Sequence, residues 1–198
     1  MPDSRSHRGA HPHDARDFGR AAVPTLVRAT AELSWLLSRG YPASRSTVLV
    51  GDRHALRERQ RKAVGRCAAS RQSVELRRRS EIRGAAPGGG GEIWIDGYNV
   101  LLTVEAALGG GVLLLGADGA LRDLAAMSSH FKRVQETPVA LDLLGEHLGL
   151  LGFSRARWLL DQVERALHVG DVLDLSRDAG QHALGEGRAL GSGQLGGL

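Results

Sequence analysis

A chain of 198 residues suits one ordinary domain or two small ones, and 42% apolar content with only 4% aromatic residues calls for a core of Leu, Val and Ala. The single cysteine, Cys67, excludes an internal disulfide framework and a multi-cysteine zinc site, and no apolar run reaches the roughly 18 residues of a membrane span. The net charge of +4 hides a split, with 18 Arg and Lys against 8 Asp and Glu in residues 1–90 and 8 against 14 in residues 91–198.

A basic half joined to an acidic half suits a nucleic-acid partner next to a cation site, with an Arg-rich solvated surface as the plainer alternative. The polar N-terminus has no apolar signal core. Together with the lone thiol this leads to an expectation of a cytoplasmic protein without a membrane partner.

Residues 1–17 are expected to be disordered. His7, His11, His13 and Asp14 fall there at no familiar ligand spacing. The spacing of Leu26, Ala29, Leu33 and Leu37 predicts a helix over 24–39, ended by Gly40 and Tyr41-Pro42. Trp35 and Tyr41 are read as core. Thr47–Val50 reads as a short apolar strand or an extended link. Asp52 is read as the cap of a helix over 53–69, which puts Leu56, Ala63, Val64, Cys67 and Ala68 on one face. Arg53, Arg57, Arg59, Arg61, Lys62 and Arg66 cover the rest, a pattern that can track a phosphate backbone, and Cys67 is read as an inert thiol. Residues 18–83 thus form a small basic helical domain, and the glycine-rich stretch 84–91 a linker. That glycine run precedes a strand instead of following one. It is no phosphate loop, which weighs against a nucleotide-sugar or dinucleotide enzyme.

The acidic half, 92–178, is organised around Asp96. Ile93, Trp94 and Ile95 read as a buried strand that stops at Asp96; Gly97 turns the chain and Asn99 bonds locally. A helix over 100–108 is broken by Gly109-Gly110-Gly111. Residues 112–115 read as a strand, and residues 120–131 as a helix with Arg122-Asp123 in its first turn. A helix over 136–148 and a strand over 156–160 ending at Asp161 follow, then a helix over 162–168 and a strand over 171–175. Alternating strands and helices predict an α/β fold with a three-layer parallel sheet. The glycine-rich end, 179–198, is expected to be disordered. If the strands ending at Asp96 and Asp161 are parallel neighbours, both carboxylates reach one sheet edge, where Asp123 can join them. Clustered carboxylates need a cation, and magnesium or manganese suits oxygen ligands.

Several stretches carry a resemblance. They are Leu33 to Tyr41, Leu49 to His54, Arg59-Gln60-Arg61, Ile95-Asp96-Gly97-Tyr98-Asn99, Asp118-Gly119 with Arg122-Asp123, Glu136-Thr137, and Trp158 to Asp161. Over residues 8–161 the chain resembles the family called domain of unknown function 434. Its C-terminal part is similar to the NYN branch of PIN-like ribonuclease domains. The resemblance implies a Rossmann-like sheet, acidic residues around a divalent metal, and RNA cleavage. Asp96 carries over as the first acidic ligand, followed by Asp123 and Asp161, with Asp118 and Glu136 in reserve. After Asp161 the chain departs from the family pattern, so the sheet is expected to be incomplete at its C-terminal end. The reading is a metal-dependent ribonuclease in which Asp96, Asp123 and Asp161 hold metal and activate water. Asn99, Arg57, Arg61 and Lys62 hold RNA. The alternative is a non-catalytic nucleic-acid-binding or regulatory protein on a degenerate scaffold.

Overall fold

The computed structural model describes residues 8–81, 91–124, 133–160 and 171–176. The basic region is helical: α1 (Asp14–Phe18), α2 (Val23–Leu37), α3 (Ala43–Arg53), α4 (Glu58–Cys67) and α5 (Arg71–Ser80). Pro24 sits in the first turn of α2, where its missing N–H costs nothing, and Gly40 ends the segment at φ +80°. Ala29 and Leu33 of α2 close a core with Val50 of α3, Val64 of α4 and Leu56 of the link between α3 and α4. Trp35 and Tyr41, expected inside, are both more than half exposed, and the Arg39 guanidinium lies 3.5 Å above the Trp35 ring.

Two expectations here are overturned. Thr47–Val50 is helical, inside α3. The run is short and shows no alternation, so packing decides it: Val50 enters the core while Val48 and Leu49 stay exposed. Asp52 therefore lies in the last turn of α3, paired with Arg61 at 2.7 Å, and caps nothing. The next helix begins instead after Arg57, whose backbone N–H donates to Gln60 Oε1 at 3.0 Å.

Residues 8–17, expected to be disordered, are packed. Asp17 is 2% exposed and Asp14 is buried. Arg59 donates to Asp14 Oδ1 at 2.6 Å, Arg57 donates to Asp17 Oδ1 at 3.0 Å, and Gln60 Nε2 donates to the Asp17 carbonyl at 2.8 Å. Two carboxylates matched to the arginines of α4 give this segment a seat that its polarity alone does not suggest. It then reaches the acidic half, where Arg8 pairs with the fully buried Glu105.

The acidic half runs β1 (Gly91–Asp96), α6 (Gly97–Leu108), β2 (Leu113–Leu115), β3 (Leu121–Asp123), α7 (Glu136–Leu150), β4 (Phe153–Leu160) and β5 (Asp171–Ser176). β1 and β4 pair in parallel with Ile95 opposite Trp158, and β5 pairs antiparallel with β4. The sheet is thus mixed, not wholly parallel. α6 and α7 cover the face that carries Ile95, Ala156 and Trp158. The opposite face carries Trp94 and Arg157, with Trp94 more than half exposed, so the described residues form two layers instead of three.

The start of the expected helix over 120–131 is also overturned, and its residues 125–131 lie outside the described residues. Residues 121–123 form β3, paired antiparallel with β2. The hairpin turn is fixed by Gly119 at φ +79° and by Asp118, whose oxygens accept from Arg122 at 2.6 and 2.7 Å. A further ion pair joins Asp118 to Arg77 of α5 at 2.9 Å. Together with an Ala117 N–H to Cys67 carbonyl bond of 2.7 Å, it docks the hairpin on the helical region. The expected helix over 162–168, the segment 179–198 and all but Gly91 of the linker 84–91 lie outside the described residues.

The Arg122 side chain, and the Ala120 N–H and Arg77 with it, hold the Asp118 carboxyl well below its ordinary value near 3.8. A depressed carboxyl stabilises the fold fully above its unfolded pKa, and the contribution is lost as pH falls through that value toward the folded one. Asp118→Asn is therefore expected to cost about 2 kcal/mol at neutral pH, a figure reduced for the exposure of both arginines. That gap should narrow progressively below about pH 4. Melting curves of both proteins at neutral and acidic pH check this; a gap that does not change with pH would contradict it.

Candidate functional site

β1 ends because the apolar run stops at Asp96, and α6 begins at once with Gly97. Asp96 occupies the N-cap position of α6 yet makes no side-chain cap bond to the helix backbone. Its exposed Oδ2 instead accepts from Asn99 Nδ2 at 2.7 Å. The carboxylate is thereby oriented, and it sits at the positive end of the helix dipole. β4, the parallel neighbour of β1, runs to Leu160 beside it, with Asp96 opposite Leu159. Asp161 itself lies outside the described residues.

One turn along α6, about 6 Å, stands Thr103. Its hydroxyl oxygen is 2.8 Å from the Asn99 carbonyl and 3.1 Å from Asp123 Oδ2. With one hydrogen to donate, it is shared between the two acceptors. Asp123, the last residue of β3, is 1% exposed, and its Oδ1 has no hydrogen-bond partner. Arg66 Nη2 of α4 lies 3.5 Å from Asp123 Oδ2, at the long limit of a hydrogen bond. Lys62, one turn earlier on α4, donates to the Leu124 carbonyl at 3.1 Å. Burial, and then Arg66, push the Lys62 ammonium below its ordinary value, while Asp123 pulls it back up. Asp96, Asn99, Thr103 and Asp123 thus form one line along the first turns of α6, with Lys62 and Arg66 facing its buried end. Among the described residues, no three His, Cys, Asp or Glu side chains gather as a metal-holding group.

The other expected residues fall elsewhere. Arg57 is paired with Asp17, while Arg61 is paired with Asp52 and donates to the Leu56 carbonyl at 2.8 Å. Both tie the helical region together, and of the three basic residues expected to hold RNA only Lys62 lies beside Asp123. Asp118 is held by Arg122 and Arg77, and Glu136 opens α7. Burial pushes the half-buried Cys67 thiol up, which suits an inert side chain. Thr103 and Glu105 lie outside the residues that the sequence singles out, whereas Arg66 belongs to the basic set of 53–69 able to track a phosphate backbone. The i, i+4 spacings of Asn99 with Thr103 and of Lys62 with Arg66 were available signals, as was Glu105, the one charged residue within α6.

Comparison with known proteins divides the chain where the structure changes from helices to sheet. Residues 25–80 match the family described as Protein of unknown function (DUF434). Residues 88–167 match another, Domain of unknown function (DUF5616). The first match thus stops short of the 8–161 stretch over which the sequence motifs suggested a single family. The Uncharacterized protein MJ0935 of Methanocaldococcus jannaschii is 25% identical over 142 residues, which is 72% of this chain and 68% of the relative. That alignment extends beyond either family match alone. No solved structure matches the chain. No helix of the described residues is long and apolar enough to cross a membrane.

Proposed function

We propose that the chain is a metal-dependent ribonuclease of PIN-like type, cleaving RNA phosphodiester bonds at the site built on Asp96 and Asp123. The observation that carries this reading is the line from Asp96 through Asn99 and Thr103 to Asp123. It joins a carboxylate at the end of a parallel strand, where α/β sheets hold ligands, to a buried carboxylate oxygen without a partner. An unsatisfied buried acceptor is costly, and a cation would relieve it.

Carboxylate donors suit magnesium or manganese, because magnesium is commonly held by one or two carboxylates together with water and substrate phosphates. Asp96 and Asp123 would hold the ion, with Asp161 as the third ligand expected from the sequence. When bound, such an ion neutralises phosphate charge and makes water a stronger nucleophile. Asn99 holds the Asp96 carboxylate in one orientation, and the Thr103 hydroxyl does the same for Asp123. Since Asp96 is exposed and Asp123 buried, the site has an open end from which a strand of RNA can enter.

The wild type is expected to cleave labelled single-stranded or structured RNA in the presence of manganese. Asp96→Asn should lower the rate by about 100-fold, the loss of roughly 3 kcal/mol of transition-state stabilisation. A folded wild type that cleaves none of these RNAs yet binds them in a salt-sensitive way would establish the non-catalytic nucleic-acid-binding alternative instead.

A further inference from the structure

Resting on that reading, we infer that Lys62 and Arg66 bind the phosphate of the strand to be cut, so that the basic helical region supplies half of the site. The sequence suggests a basic helix that tracks RNA along its whole surface. The structure gives α4 a different use. Arg57, Arg59 and Arg61 turn to Asp17, Asp14 and Asp52, while Arg66 turns to Asp123 and Lys62 to the neighbouring Leu124 carbonyl.

The decisive feature is a pair of complementary buried atoms left open. Arg66 Nε is a buried donor without a partner, and Asp123 Oδ1 is a buried acceptor without one. A bidentate contact between the two side chains would satisfy both, as arginine and carboxylate commonly do. Instead they touch only through Nη2 and Oδ2, at 3.5 Å. Each open atom costs about 1–3 kcal/mol unless something completes it. The Arg66 side chain is one-third exposed, and a small turn of its guanidinium toward a bound strand would bring a phosphate oxygen to Nε. Lys62 spends one of its three N–H groups on the Leu124 carbonyl and keeps the others for the same anion. Lys62 and Arg66 are four residues apart on α4, so they repel each other on one face. Asp123 offsets part of that repulsion, and a bound phosphate offsets more.

The test separates this inference from the nuclease reading. Binding of labelled single-stranded RNA is measured by anisotropy in the Asp96→Asn background, where cleavage is off and α4 is unaltered. Adding Arg66→Ala is expected to weaken binding about 10-fold and Lys62→Ala about 5-fold. Each should flatten the plot of log affinity against log salt by about 0.7, the share of one phosphate contact on a single strand. Arg78→Ala on α5 removes the same charge from the basic region and is expected to change neither quantity. In the otherwise wild-type chain, Arg66→Ala should lower kcat/KM in parallel. Arg66→Lys keeps the charge but loses the planar fork, so it should retain the salt slope and part of the affinity even if the alanine variant folds poorly. Unchanged affinity and slope in both Lys62→Ala and Arg66→Ala, with Asp96→Asn still inactive, would overturn the inference and leave the nuclease standing. A folded wild type that neither binds nor cleaves RNA would overturn both.

Discussion

Asp123→Asn is expected to lower manganese-dependent RNA cleavage by about 1,000-fold or more while leaving the chain folded. The substitution keeps the shape of the side chain and an oxygen for the Thr103 hydroxyl, so the 3.1 Å bond has an acceptor still. What it removes is charge, at a position only 1% exposed, where water screens little. A cation there loses its buried anionic partner, and a factor of 1,000 corresponds to about 4 kcal/mol of transition-state stabilisation. The Arg66 contact is long and Arg66 is one-third exposed, so its loss should cost the fold little. Cleavage assays beside circular-dichroism melts decide the matter. Activity within a few-fold of wild type would remove Asp123 from the site.

The second large effect is on stability. Glu105 is fully buried in α6, with Arg8 on one side and the Thr137 hydroxyl on the other. Thr137 in turn accepts from the Val134 backbone N–H at 3.0 Å, so the carboxylate anchors the start of α7 as well. Glu105→Ala strips Arg8 of its buried counter-ion and leaves a hydroxyl without its acceptor. Breaking a buried pair from one side costs about 3–5 kcal/mol, a large share of the 5–15 kcal/mol that holds an ordinary domain together. The urea midpoint should fall by about 1–3 M. Glu105→Gln, which keeps an acceptor for Thr137, is expected to fall between the two. A midpoint unchanged in the alanine variant would show that Arg8 and Glu105 contribute no net stability.

How much of this was legible depends on the range of the interaction. α2 and α7 were readable because their apolar residues recur with the helical period. β1 was readable because a β-branched and aromatic run halts at Asp96, and its parallel partner was visible in the same pattern ahead of Asp161. The first acidic residue and its Asn99 companion follow from that local grammar. Thr47–Val50 was misread because four apolar residues carry no period, and only the seat of Val50 beneath α2 settles the matter. Residues 121–123 were misread because Arg122 and Asp123 resemble the charged first turn of a helix. The hairpin is decided by the grip of Arg122 on Asp118. The arginines of α4 were the least readable, because their partners lie far along the chain: Arg57 is 40 residues from Asp17 and Arg59 is 45 from Asp14. Nothing in a run of arginines tells which will fold inward.

The seat of Arg8 has a consequence for how the chain is made. Beside it, Gly109 and Gly111 pack so tightly that a Cβ at either would stand 3.0 Å from the Arg8-Gly9 backbone. Arg8 meets Glu105 across 97 residues, so an early-synthesised segment waits for a late one. At translation speeds of roughly 5–20 residues per second, the wait is about 5–20 s. α4 emerges in the interval, and its arginines can capture Asp14 and Asp17 first. The Arg8 segment is then held near its final place when α6 leaves the ribosome, and the loop left to close is shorter than the 97 residues between Arg8 and Glu105. Synthesis order thus makes the helical region a template on which the acidic half is completed.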